Sequence, residues 1–139
     1  MTDEPTGYVF DSFALLAYFG NEPGAETVEQ LLRQAQDQTI TLHLSLMNLG
    51  EVYYITRRER GRDVAVATLA LIDQLPIYQQ AIDRPRVLAA ATLKASHAIS
   101  YADAFAAALA QQLHGPVVTG DPEFHKVAAL VEILWLPQR

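Results

Sequence analysis

Two short apolar runs that each end in an aspartate constrain the fold of this chain more than any other feature. Tyr8-Val9-Phe10 is β-prone and leads straight into Asp11-Ser12, after which Phe13 to Phe19 is apolar and helix-compatible. Toward the other end, Gly115-Pro116-Val117-Val118-Thr119-Gly120-Asp121 repeats the design, with a short buried strand delivering an acid at its carboxyl end. Between them, Thr39 to Leu44 alternates as a strand would, Pro76 precedes a short strand at Ile77-Tyr78, and Val131 to Trp135 reads as a last strand. Helical spacing marks Ala25 to Gln36, a segment opened by a Ser45 cap and carrying Leu46, Leu49, Val52 and Tyr53, then Asp63 to Leu75, Arg86 to Ser96 and Tyr101 to Leu113. Strands that alternate with helices belong in a parallel sheet, because parallel neighbours need a crossover connection. The expectation is an α/β fold with a central, mainly parallel sheet and helices packed on its faces. A chain of 139 residues, 50% of them hydrophobic, fits one domain spanning residues 1–139.

Cysteine is absent, which excludes disulfides and thiolate metal sites and suits a reducing cytoplasm. Any metal must then sit on oxygen or imidazole. No apolar stretch approaches the roughly 20 residues of a membrane-spanning helix, and the start MTDEPTG is acidic where a signal peptide is basic, so a cytoplasmic protein without membrane association is expected. The formal net charge of -6 argues against a general nucleic-acid coat. Yet Arg57, Arg58, Arg60 and Arg62 concentrate four of the ten basic residues in one short window. That run is either a solvated helix end or a patch that grips a phosphate backbone beside an acidic centre.

In open parallel sheets the functional crevice lies beyond the carboxyl ends of the strands. Asp11 and Asp121 both follow directly on predicted strands and so project toward the same edge. Asp103 opens a helix that Ser100 can cap, where the helix dipole favours negative charge, and Glu51 lies in the second turn of another helix. Singly, each has a plain explanation as a turn residue, dipole partner or solvated face. Their apolar surroundings weigh the other way, most of all for Asp103 beside an alanine-rich packing face. Converging carboxylates repel one another unless a proton or a cation intervenes, and an oxygen-only ligand set selects a hard ion, Mg2+ or Mn2+.

Val9-Phe10-Asp11-Ser12-Phe13-Ala14-Leu15-Leu16-Ala17 resembles the opening acidic motif of PIN-domain nucleases. Asn48-Leu49-Gly50-Glu51-Val52 resembles that family's helical glutamate motif, Ile99 through Ala110 its third acidic segment, and Val118-Thr119-Gly120-Asp121-Pro122-Glu123-Phe124 its fourth. The motifs come in the family's order and span nearly the whole chain, with no departure at the four acids. The resemblance implies a PIN-like three-layer α/β/α sandwich and a metal-dependent endoribonuclease that hydrolyses RNA phosphodiester bonds. It implies Asp11, Glu51, Asp103 and Asp121 as catalytic metal ligands for Mg2+ or Mn2+, with Ser12 and Thr119 as a supporting shell. Compact size and the last two motifs look most like VapC-type toxins, which implies a VapB-like antitoxin as partner. The arginine run, Arg57, Arg58, Arg60 and Arg62, supplies the RNA-binding candidates.

His43, His97, His114 and His125 show no paired metal-ligand spacing and are expected in surface or core roles, with His125 the one able to approach the acids. Trp135 and the six tyrosines are expected to pack more often than to stack on bases. Apolar faces over Leu46 to Tyr54 and Val64 to Ile72 suggest a homodimer or a partner helix. Competing functions remain: a PIN-like RNA-processing nuclease without antitoxin, a non-catalytic partner-binding module, a phosphatase, or a signalling receiver domain. Asp11-Ser12-Phe13 lacks the Asp-x-Asp of a phosphoaspartate phosphatase, and Asp37 and Asp73 offer poor contexts for a receiver's phosphoacceptor.

Overall fold

Strand β1, Thr6–Phe10, ends in Val9 and Phe10, both fully buried, and because neighbouring strand residues face opposite ways they enter two different cores. The computed structural model describes residues 6–137. After β1 come α1 (Ser12–Phe19), α2 (Ala25–Gln36), β2 (Ile40–Ser45), α3 (Leu46–Arg60), α4 (Arg62–Ile72), β3 (Tyr78–Gln80), α5 (Arg84–Ser96), α6 (Tyr101–Leu113), β4 (Val117–Thr119), a 3-10 helix (Pro122–Val127) and β5 (Ile133–Trp135). The strands form one sheet in the order β3-β2-β1-β4-β5, and every pairing is parallel. Each strand lies in register with the next, as in Phe10 opposite Leu44 and Val118.

On one face Phe10, Leu42, Leu44 and Val118 meet the apolar sides of α1 to α4 through Ala14, Leu15, Leu31, Leu32, Val52 and Ile72. On the other, Val9 and Val117 pack against α5 and α6 through Leu93, Ala104, Phe105 and Leu109. The three-layer α/β/α sandwich follows from this division of β1 and β4 side chains. All nine residues from Ala102 to Ala110 are buried, so α6 is enclosed on every side, as its alanine-rich sequence allows. The approach of β4 to β1 depends on Gly115, where a Cβ would overlap the carbonyl oxygen of Gly7. Gly61, at φ +93°, takes a backbone conformation that side-chain-bearing residues rarely adopt and separates α3 from α4.

The differences from sequence expectation have local causes. Helix α5 starts two residues earlier than Arg86, because Asp83 caps it by accepting from the Arg86 backbone N–H at 2.9 Å and Pro85 fits its first turn. Helix α4 starts at Arg62 and stops at Ile72, short of Leu75, and β3 runs Tyr78–Gln80 rather than Ile77-Tyr78. The 3-10 helix after Asp121 is not visible in hydrophobic spacing, which a single short turn cannot express. No helix among the described residues is long and apolar enough to cross a membrane.

Candidate active site

From β1 the chain builds outward through β2 to β3, then returns to add β4 and β5 on the other side. The strand order therefore reverses between β1 and β4, which opens a crevice beyond their carboxyl ends. Asp11 follows the last residue of β1 and caps α1, its Oδ1 accepting from the Ala14 backbone N–H at 3.1 Å. Its Oδ2 accepts from Thr119 Oγ1, the end of β4, at 2.6 Å. The same Thr119 oxygen accepts from the Asp121 backbone N–H at 3.0 Å, and Asp121 Oδ1 in turn accepts from the Glu123 N–H at 2.9 Å to cap the 3-10 helix. One hydroxyl thus ties the two strand-end aspartates together.

Asp103 reaches the crevice from α6, whose N-terminus is capped by Ser100 Oγ accepting from the Asp103 N–H at 3.1 Å. Asp11 and Asp103 are buried, at 2% and 6% exposure, whereas Asp121 and Glu51 are half-buried. Burial pushes the Asp11 carboxyl up to about 8, with the negative charges of Asp103 and Asp121 adding to it and the Thr119 and Ala14 hydrogen bonds opposing. Burial likewise pushes Asp103 up to about 7; Asp121, Glu51 and Glu123 reinforce that rise, and a Ser100 hydrogen bond opposes it. The four acids expected from sequence share one electrostatic environment. Even so, among the described residues no three His, Asp or Glu side chains are arranged to hold an ion as they stand.

Ser12 is buried but does not touch a carboxylate: its Oγ donates to the Asn48 carbonyl at 3.4 Å and accepts from Asn48 Nδ2 at 3.3 Å. Two residues escaped sequence reasoning. Glu123 lies in the fourth motif, two positions after Asp121, and acts on Asp103. Asn48 precedes Glu51 by three residues, one helical turn, and is fully buried. A carboxamide on a face otherwise marked by apolar residues is the signal that could have found it.

The arginine run divides at Gly61. Arg57, Arg58 and Arg60 form the last turn of α3, and Arg62 begins α4, where it pairs with Asp63 at 3.5 Å on the surface. Arg57 Nη1 donates to the Tyr53 hydroxyl at 2.9 Å, and the Arg58 guanidinium lies 5.6 Å from the centre of the Tyr54 ring. Seven residues after Glu51, Arg58 falls on the same helix face about 10 Å away. His125 stacks on Trp135 with ring centres 4.3 Å apart. His43 in β2 is held by Thr41 and Gln80, each at 2.9 Å, and burial followed by the Arg86 charge lowers its pKa. Nδ1 of His97 lies 2.9 Å from the Leu93 carbonyl oxygen, and His114 ends α6.

The PIN domain family profile matches residues 8–130, and the chain belongs to that family. No curated protein matches the sequence significantly. Among solved structures, VapBC2 from Rickettsia felis, bound to a promoter DNA fragment, aligns with a TM-score of 0.72 at 13% identity over 94% of this chain and 99% of the other. VapC20 from Mycobacterium tuberculosis, a toxin that cleaves the sarcin-ricin loop, aligns at 0.70 and 20% identity over 94% and 99%. DNA-bound VapBC from Salmonella typhimurium aligns at 0.70 and 15% over 92% and 96%. At such identities the shared property is the fold.

The raised pKa values set a pH dependence. A carboxyl whose folded pKa lies above its ordinary 3.8 binds more protons folded than unfolded between about pH 4 and pH 8, so stability is full at the acid end and falls as pH rises through that window. Asp103 alone would contribute up to about 4 kcal/mol of this fall, at about 1.4 kcal/mol per pKa unit. In EDTA, the urea midpoint should drop from pH 5 to pH 8, and Asp103→Asn should flatten the drop. Midpoints that rise with pH, equally in both proteins, would contradict the buried-carboxylate account.

Proposed function

We propose that this protein is a metal-dependent endoribonuclease, the VapC-type toxin of a toxin–antitoxin pair, with Asp11, Glu51, Asp103 and Asp121 as its metal ligands. The observation that carries the proposal is the linkage of Asp11 and Asp121 through Thr119 in a crevice where burial and mutual repulsion oppose ionisation. Such a set favours a cation, and its oxygen-only chemistry fits Mg2+ or Mn2+. When bound, a divalent ion there supplies positive charge for a phosphoryl oxygen and acidifies water.

The protein's own residues have distinct duties in this reading. Asp11, fixed from both sides by Ala14 and Thr119, sets the reference position. Glu51, only half-buried, has the freedom to close on the ion, while Asp121 is held in place by the bond it accepts from the Glu123 N–H. Neutralising the acids lets a polyanion enter, and Arg58, without an ionic partner among the described residues, is placed to hold phosphate next to the crevice. An acidic protein can thereby act on RNA, which we place in the cytoplasm.

The antitoxin reading draws support from the α3–α4 surface. Leu46, Tyr54, Val66 and Leu71 are 38%, 51%, 45% and 50% exposed, apolar side chains that a partner helix or a second copy would cover. A processing nuclease without antitoxin would share the chemistry but leave this surface without its VapB-like helix. A non-catalytic binding module would use the surface alone.

Purified protein should cleave RNA with Mg2+ or Mn2+ and not in EDTA, and Asp103→Asn and Asp121→Asn should each lose at least about 100-fold, the scale for groups that stabilise transition-state charge. Cleavage insensitive to both substitutions would eliminate the site. Arg57→Glu with Arg58→Glu should weaken RNA binding and reduce the salt dependence of affinity by up to about two phosphate contacts; an unchanged slope would return the run to solvation. Light scattering should find a dimer, or a complex on addition of a protein encoded beside it that carries an amphipathic helix. Monomers in both cases would remove the partner proposals and keep the nuclease.

A further inference from the structure

Asn48 occupies a position that neither helix formation nor core packing explains. It lies fully buried in α3, one turn before Glu51, where an apolar residue would be the cheaper occupant. Its Nδ2 donates to Ser12 Oγ in α1 at 3.3 Å and to the Ala102 carbonyl in α6 at 3.3 Å. Ser12 closes the contact by donating to the Asn48 carbonyl at 3.4 Å. Both amide hydrogens are thereby committed, and Oδ1 is left buried with no protein partner. An unpartnered buried acceptor loses its hydration with no bond to replace it, so stability alone would favour a hydrocarbon side chain here.

The three groups joined by this amide stand next to three of the acids. Ser12 follows Asp11, Ala102 precedes Asp103, and Asn48 shares a helix face with Glu51. Thr119 links Asp11 only to Asp121, which leaves the Glu51 and Asp103 side of the crevice to be fixed by another group. We propose that Asn48 is a positioning residue that sets the spacing of Asp11, Glu51 and Asp103, and that the property it governs is affinity for the divalent ion. This inference rests on the metal-site reading above. It differs from it by assigning a role to a neutral residue that need not touch the ion, in the manner of groups that orient ligands from behind.

The test is direct Mn2+ binding, by calorimetry and by the electron paramagnetic resonance signal of free Mn2+, on the full chain. The wild type is compared with Asn48→Leu, Ser12→Ala and Thr56→Val. Thr56 is a buried polar residue of the same helix, 7% exposed, and serves as the control for a structural change alone. Asn48→Leu should keep a cooperative thermal transition and weaken Mn2+ binding about 10- to 100-fold, the usual cost of losing a ligand-orienting group. Ser12→Ala should weaken it in the same direction, and Thr56→Val should leave affinity unchanged. Affinity within about threefold of wild type in folded Asn48→Leu would overturn the inference while leaving the metal site intact. If Asn48→Leu does not fold, unchanged affinity in Ser12→Ala overturns it instead. Wild-type protein that binds no Mn2+ would overturn the metal reading and this inference together.

Discussion

The hydrogen bond from Thr119 Oγ1 to Asp11 Oδ2, at 2.6 Å, joins the ends of β1 and β4 at the place where the sheet changes direction. Its donor is fully buried and its acceptor nearly so, so water cannot substitute for either partner. Losing one partner of such a buried bond leaves the other exposed to the full desolvation cost. That single oxygen also receives the Asp121 N–H and thereby starts the turn into the 3-10 helix. The geometry of one side of the crevice is consequently inherited from the pairing of β1 and β4.

Helix α6 does the equivalent work on the other side, by a different physical route. Six alanines among the nine consecutive buried residues from Ala102 to Ala110 let it lie close to its neighbours, and small side chains lose little rotamer freedom when enclosed. Asp103 enters the crevice as the third residue of a helix whose N-terminal dipole favours an anion. That stabilisation does not outweigh burial, since Asp103 still stands near 7. The acids are therefore held together against the burial and mutual repulsion that raise their pKa values, and under the proposed function this is what favours a cation.

Much of this was legible in sequence because it resides in local pattern. Val9-Phe10-Asp11 and Val118-Thr119-Gly120-Asp121 announce strand ends with acids, and parallel pairing follows once helices are seen to intervene. The caps at Ser45 and Ser100 were legible for the same reason, and the structure contains both. What escaped was whatever depends on distance in space rather than along the chain. Asn48 meets Ser12 across 36 residues and Ala102 across 54, and no periodicity encodes such a meeting. Glu123 was masked by proximity to Asp121, and its action on Asp103 is visible only once the two are brought together in space.

The balance of fixed and movable acids bears on how a crevice of this kind handles charge. Asp11 and Asp103 are buried and hold protons near neutral pH when no cation is present, so serving as ligands requires them to release those protons. Glu51, half in solvent, can change position with little packing loss. Under the proposed function, the buried pair defines where an ion sits and Glu51 adapts to it. The charge of -6 over the whole chain then ceases to conflict with a nucleic-acid substrate. In that reading a cation cancels the repulsion of the crevice acids toward RNA, and Arg58, two helical turns from Glu51, supplies attraction at the margin.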